Sequence, residues 1–204
     1  MKRLSFFAVL CVLTMATLRS AEPSDLLPPC CRPALTNSPP TDGSLYQLET
    51  VWTSDVGARV RLGVLQGRPQ VMAMFFTQCE YACPILVNDL KRLQAALPEA
   101  ERALVDFVLV SFDSERDTPA VLAEYRTRHH LSAEHWTLLT GRADDVRELA
   151  ALLGVNYRKD SRGQFAHSNL FVVLDAAGEI VHQQVGLEQD PSAAVAAVLK
   201  VVKQ

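Results

Sequence analysis

The chain is expected to form an α/β domain, and three observations predict it. Two strongly apolar stretches, residues 71–76 and 104–111, have the length and composition of strands buried on both faces. Each is followed by a segment of helical character, so helices cross between the strands and the strands pair parallel. Near the end, Leu170–Leu174 and Ile180–Val185 flank Asp175-Ala176-Ala177-Gly178, a hairpin that adds an antiparallel edge.

The first twenty residues stand apart. Lys2 and Arg3 precede a mostly apolar run over residues 4–18, and the small residues Ser20 and Ala21 follow. Charged, apolar and cleavage regions in that order make a secretory signal. The run is short for a membrane span, which takes about 20 apolar residues. Arg19 beside Ser20 is a poor cleavage context, which keeps an uncleaved short anchor as the alternative. Either way, the folded part lies outside the cytoplasm. Residues 21–44 carry Pro23, Pro28, Pro29, Pro33, Pro39 and Pro40 with little hydrophobic periodicity, as expected of a tether.

The remaining residues, 45–204, read as one domain. Residues 46–52 and 59–62 are expected to form a hairpin around Ser54-Asp55-Val56-Gly57. The strand at 71–76 leads into a helix over 84–97, with Ile85, Leu86, Leu90, Leu93 and Leu97 at helical spacing. Pro84 suits its first turn, where a missing N–H costs nothing. After the strand at 104–111 comes a helix over 119–129, with Thr118 as its N-cap. A short strand at 137–139 precedes the helix Ala143–Leu153, closed by Gly154, and a last helix covers 191–202. This order matches a thioredoxin-like fold with an extra N-terminal β-hairpin and an inserted helix.

Of the 204 residues, 49% are apolar and 21% charged, which suits a globular domain with a real core. Loss of residues 1–20 removes Lys2, Arg3 and Arg19, leaving seventeen basic against twenty-three acidic residues and a net charge of −6. That balance offers no electrostatic footprint for nucleic acid. The five cysteines are too few for a disulfide-stapled miniprotein, so they point to chemistry rather than scaffold. Cys11 falls inside the apolar run and leaves with it on cleavage. Cys30 and Cys31 are adjacent in the proline-rich arm, and Cys79 and Cys83 lie four apart.

Cys79 and Cys83 sit in the segment joining the first buried strand to its helix. Cysteines four apart share one side of a helical stretch. At a helix N-terminus, backbone N–H groups and the dipole favour the thiolate, which is both the nucleophile and the metal ligand. A structural disulfide, a redox pair and a chelate are all open to such a pair. Thioredoxin-like redox pairs typically enclose two residues and this one encloses three, which leans toward a chelate.

His167 precedes the strand Leu170–Leu174, in a loop that faces the cysteines in a thioredoxin-like fold. Two thiolates with one imidazole suit copper in either oxidation state. A structural zinc site usually takes four protein ligands, and no obvious fourth lies in this loop. His129, His130 and His135, on or just after a polar helix, and His182 on the hairpin are expected as solvated surface residues. Trp52, Trp136 and the phenylalanines are expected in the core.

From about Gly67 to Gly186 the chain resembles the Sco/SenC family of copper proteins involved in cytochrome c oxidase maturation. The resemblance rests on Phe75-Phe76-Thr77-Gln78-Cys79, Cys83-Pro84, Ser111-Phe112-Asp113-Ser114-Glu115-Arg116-Asp117-Thr118-Pro119, Trp136-Thr137-Leu138-Leu139-Thr140-Gly141 and His167-Ser168. It implies that Cys79, Cys83 and His167 bind copper, as Cu(I), Cu(II) or both. It further implies that copper or electrons pass to the dinuclear copper site of the oxidase. The implied partners are the copper-bearing oxidase subunit or another copper chaperone, and the implied location is the periplasm or the outer face of the cytoplasmic membrane. Phe112 and Ser114 depart from the family, which commonly has valine or isoleucine and proline beside Asp113.

By resemblance Asp113 lies close to the copper, where it tunes the site or touches a partner; a plain turn aspartate is the alternative. Cys30 and Cys31 suit copper capture, an oxidised pair or an incidental place in the tether. Three functions compete. The first is a metallochaperone, a binding protein rather than an enzyme. The second is a thiol–disulfide oxidoreductase, with Cys79 and Cys83 as its redox pair, that keeps the oxidase's copper-ligand cysteines reduced. The third is a peroxidase-like thiol enzyme. A histidine ligand separates the first from the other two, because dithiol exchange needs no imidazole.

Overall fold

The computed structural model describes residues 39–161 and 163–203. The expected signal or anchor at 1–20, Cys11, Cys30, Cys31 and most of the 21–44 arm lie outside them. No helix of the described residues is long and apolar enough to cross a membrane.

A 3-10 turn, Leu45–Gln47, leads to strands β1 (Val51–Ser54) and β2 (Arg59–Arg61), and a second 3-10 turn, Leu62–Leu65, follows. Then come β3 (Gln70–Phe75), α1 (Ala82–Ala96), α2 (Glu99–Arg102), β4 (Asp106–Ser111) and α3 (Pro119–Arg128). Next are β5 (Trp136–Thr140), α4 (Ala143–Leu153), β6 (Tyr157–Lys159) and β7 (Phe165–His167). The chain closes with β8 (Leu170–Leu174), β9 (Ile180–Val185) and α5 (Ser192–Val202). Seven strands form one sheet in the order β2-β1-β5-β4-β3-β8-β9, while β6 and β7 form a two-stranded sheet of their own. β3, β4 and β5 pair parallel, and β8 runs antiparallel to both β3 and β9. The β1–β2 hairpin adds to the opposite edge through β5. This is the expected thioredoxin-like α/β architecture.

The apolar runs explain the centre of the sheet. Every residue of β3 and β4 is buried, as a strand covered on both faces requires. Phe107 stacks on Trp136 with ring centres 4.7 Å apart. Each large side chain so buried contributes about 1.5–3 kcal/mol. Trp52 and Trp136 are both in this core, as expected. The one acid opening β4, Asp106, is buried but paired with Arg68 Nε at 2.9 Å, so its charge is compensated. α1 buries Leu86, Val87, Leu90 and Leu93, α5 packs across β8 and β9, and α3 packs over β5 and β1. Thr118 Oγ1 accepts from the Val121 N–H at the start of α3, and Gly154 ends α4 in the left-handed conformation (φ +71°).

Three expectations need correction. The strand expected over 46–52 begins only at Val51. Ser44 Oγ accepts from the Tyr46 N–H (3.1 Å) and curls residues 45–47 into a turn that buries the Tyr46 ring. The β6–β7 hairpin lies where the sequence shows neither alternation nor an apolar run. Its strands are three residues long, and Arg158, Lys159 and Ala166 are exposed. His129 and His135 are half-buried rather than solvated: the first stacks on Tyr125 (4.1 Å) and the second lies 3.4 Å from Asp106. His182 is also half-buried, on β9, whereas His130 is exposed.

Gly178 has φ +86°, and a Cβ there would meet the Tyr46 ring at 2.5 Å. Gly178→Ala is expected to cost about 2–4 kcal/mol, combining backbone strain with overpacking. Gly57→Ala, also at positive φ (+80°) but in open space, should cost only about 1–2 kcal/mol. Chemical denaturation of both variants checks the difference.

Candidate metal centre

The site begins where β3 leaves the sheet. The Thr77 N–H (3.0 Å) and hydroxyl (2.5 Å) donate to the Asp117 carboxylate, and the Ser111 hydroxyl at the end of β4 donates to it as well (2.5 Å). Burial raises the Asp117 carboxyl above the ordinary range, against the hydrogen bonds from Ser111 and Thr77. The Cys79 N–H then closes a turn onto the Phe76 carbonyl (3.3 Å).

Helix α1 starts only at Ala82, so Cys79 lies ahead of it and only Cys83 occupies its first turn. The expectation that one helical stretch carries both is corrected accordingly. Cys79 Sγ accepts from the Cys83 N–H (3.2 Å), supplying the end of the helix with an acceptor that Tyr81, at the cap position, does not provide. Both cysteines are free; Cys79 is half-buried and Cys83 fully buried.

His167 is the last residue of β7, not a loop residue, and pairs with Tyr157 across the hairpin. Its Nδ1 lies 3.0 Å from the Ser168 carbonyl, which can only accept, so Nδ1 carries the proton. Nε2 is left facing the cysteines, 3.8 Å from Cys83 Sγ. The two sulfurs and a ring nitrogen of His167 lie within 4.8 Å of one another, the one such cluster among the described residues. The donor set contains no oxygen, which suits a soft or borderline metal and not a hard one.

Aromatic rings wall this trio. His167 meets Phe76 edge-on (6.0 Å) and Phe112 at 5.1 Å, and Phe112 stacks on Tyr157 (5.2 Å) and touches Phe165 (5.0 Å). Phe112 therefore fills the space beside His167 that a smaller branched residue would leave open. Tyr157 and Phe165 belong to the site, although strands of three partly exposed residues leave no periodic trace that would place them there. An open cleft of about 510 Å³, lined by Phe76, Cys79, Tyr81, Phe165 and His167 among others, leads to the trio. Tyr81 stands at its mouth, 83% exposed.

The two sulfurs are electrostatically unequal. A hydrogen bond from the Cys83 thiol, with further help from His167 and the backbone, lowers Cys79 to about 3 against the opposing effect of burial. The same hydrogen bond, with burial, pushes Cys83 far up. Burial disfavours the His167 imidazolium, but the Cys79 sulfur and the Ser168 carbonyl outweigh it and raise the ring's pKa. In the metal-free protein the pair is thus a thiolate outside and a thiol inside.

Asp113 is buried just beyond β4, and it is not one of the three clustered donors. Its carboxylate pairs with Arg116, and its N–H donates to Ser111 Oγ (3.0 Å).

A thioredoxin-like domain with a Cys–Cys–His cluster at the exit of its central strand is the class that fold and site define. The SCO1/SenC family model matches residues 43–203, and the chain belongs to that family. The SCO1 protein homolog of Bacillus subtilis (strain 168) is 28% identical over 150 residues, which cover 72% of this chain and 77% of that protein. The copper-bound ScoI of Arabidopsis thaliana has a TM-score of 0.67 at 24% identity, covering 76% of this chain and 96% of its own. BsSco, described as having a disulfide switch and as a member of the Sco family of cytochrome c oxidase assembly proteins, has a TM-score of 0.68 at 24% identity, with 81% and 97% covered.

The asymmetry of the sulfurs predicts their reactivity. A group held at about 3 stays ionised as pH falls from neutral, so iodoacetamide should modify Cys79 at a nearly constant rate until the pH approaches that value. Cys83 should react only in denaturant. Mass mapping of the labelled peptides, from pH 8 down to about pH 4, checks both statements.

Proposed function

We propose that this chain is a copper-binding metallochaperone that assists assembly of the copper site of a respiratory cytochrome c oxidase, with Cys79, Cys83 and His167 as the ligands. The observation that carries this reading is the cluster of two sulfurs and one imidazole nitrogen within 4.8 Å, at the end of an open cleft. The copper-bound state of ScoI, a protein of the same fold, supports the choice of metal. Copper is cargo here, held as Cu(I) or Cu(II). Cys79, ionised and half-exposed, meets the incoming ion. Cys83 completes the thiolate pair on giving up its proton, and His167 offers Nε2 because Nδ1 is committed to Ser168.

The charged and apolar N-terminal segment supports a domain, residues 45–204, held in the periplasm or on the outer face of the cytoplasmic membrane. The receiving partner is the copper-bearing oxidase subunit or another copper chaperone.

A second reading is favoured by the thiolate–thiol pair itself. Attack by Cys79 on a partner disulfide would form a mixed disulfide and release one partner thiolate. Attack by Cys83 on the Cys79 sulfur would then release the second, leaving a Cys79–Cys83 disulfide and a reduced partner dithiol. The disulfide switch described for BsSco, a fold relative, is consistent with such a step.

Metal analysis and absorption spectroscopy on the reduced mature protein test the first reading. About one copper per chain is expected, with thiolate-to-Cu(II) absorption. His167→Ala should weaken Cu(II) binding at least ten-fold, by roughly the factor that loss of a ligand's support costs or more, while leaving the disulfide able to form. Wild-type affinity and spectrum in that variant would sink the ligand assignment. Efficient metal-free turnover of a disulfide substrate, without copper uptake, would instead establish the oxidoreductase.

A further inference from the structure

We infer that Arg116 is a positioning residue that locks the hairpin bearing His167 onto the loop bearing Cys79, with Asp113 orienting its guanidinium. The consequence for the metal rests on the ligand set proposed above; the mechanical role does not.

The guanidinium addresses three separate segments. Nε pairs with the buried Asp113 carboxylate. Nη1 donates to the Gln78 side-chain carbonyl (2.9 Å), one residue before Cys79. Nη2 donates to the Gly163 backbone carbonyl (2.5 Å), in the turn between β6 and β7. The cation also lies 5.9 Å from the centre of the Phe165 ring, two residues before His167. Gly163 adopts φ +77°, and a Cβ there would lie 3.4 Å from Nη1, so the turn approaches the arginine closely.

This fork matters because of how the hairpin is held. β6 and β7 pair with each other and not with the seven-stranded sheet. Beyond the two-residue backbone link from His167 to β8, the placement of the hairpin against the cysteine loop is therefore set by side chains. The rings of Phe76, Phe112 and Phe165 supply non-directional packing. The Lys159–Glu115 pair is exposed and contributes little. Arg116 supplies directional, charge-assisted bonds from one rigid plane to both sides of the gap. A lysine could keep a charge beside Asp113 but could not hold all three acceptors at once. Asp113 thus acts on the site through Arg116, not as a ligand.

The test uses the reduced, metal-free full chain first. Hydrogen exchange in peptides covering residues 157–167 should accelerate about ten-fold or more in Arg116→Ala, as loss of charge-assisted bonds implies. Protection of β3 and β4 should be unchanged, and Arg116→Lys should recover little of the loss. After copper loading, Arg116→Ala should bind about ten-fold or more weakly, with a displaced thiolate-to-Cu(II) band. Wild-type exchange in the hairpin overturns the lock, and a loosened hairpin that leaves copper affinity and spectrum unaltered overturns its consequence for the metal. If the wild-type protein takes up no copper, the ligand reading fails by itself, and hairpin exchange still decides whether Arg116 is the lock. Should Arg116→Ala also lose protection in β3 and β4, Gln78→Ala, which removes one arm of the fork, carries the same comparison.

Discussion

Asp117 places its carboxylate between the ends of β3 and β4, where the Thr77 N–H, the Thr77 hydroxyl and the Ser111 hydroxyl all donate to it. A carboxylate so deeply buried is costly without partners, and three donors offset that cost. Parallel pairing of β3 and β4 brings the two exits side by side, and the shared carboxylate fixes their separation. The turn carrying Cys79 starts from the residue held in this way. Thr118, the next residue, caps α3, and Arg116, the preceding one, reaches outward to Gln78 and Gly163. Three consecutive side chains thus fasten the cysteine loop, a helix and the histidine hairpin to the end of one strand.

From that fixed start, the chemistry of the pair follows from depth. Cys79 stops short of the helix and stays half-exposed, while Cys83 enters the first turn and disappears into the core. Proximity makes them share one proton, and burial determines that the inner sulfur keeps it. Copper capture and disulfide exchange both need an accessible thiolate backed by a second sulfur. The same geometry therefore serves either, and the His167 ring nitrogen beside the sulfurs adds a third donor of the kind a soft or borderline metal takes.

The fold was legible because its central strands are apolar on both faces and its helices have clear starts and stops, as at Thr118 and Gly154. The cysteines were legible because a strand-to-helix junction places them without knowledge of distant contacts. His167 was legible as a member of the site but not as a strand residue. Tyr157–Lys159 and Phe165–His167 are too short and too exposed to leave a periodic trace. Arg116 and Asp117 stood in a recognisable motif, yet a charged loop looks the same in sequence whether it faces water or grips neighbours. Their partners, Thr77, Gln78 and Gly163, lie between 38 and 47 residues away along the chain, and only folding reveals the pairing.

The separate two-stranded sheet has a consequence for how such a protein diversifies. A ligand built into the main ladder could be moved only by shifting the register of a central strand, which would disturb the whole core. Here the imidazole is carried on an accessory ribbon pinned by a handful of side chains. Exchanges at those pins, such as the Phe112 that packs between Tyr157 and His167, can alter reach and stiffness while the scaffold stays intact. Substitutions there can therefore shift the imidazole relative to the two sulfurs while sparing foldability.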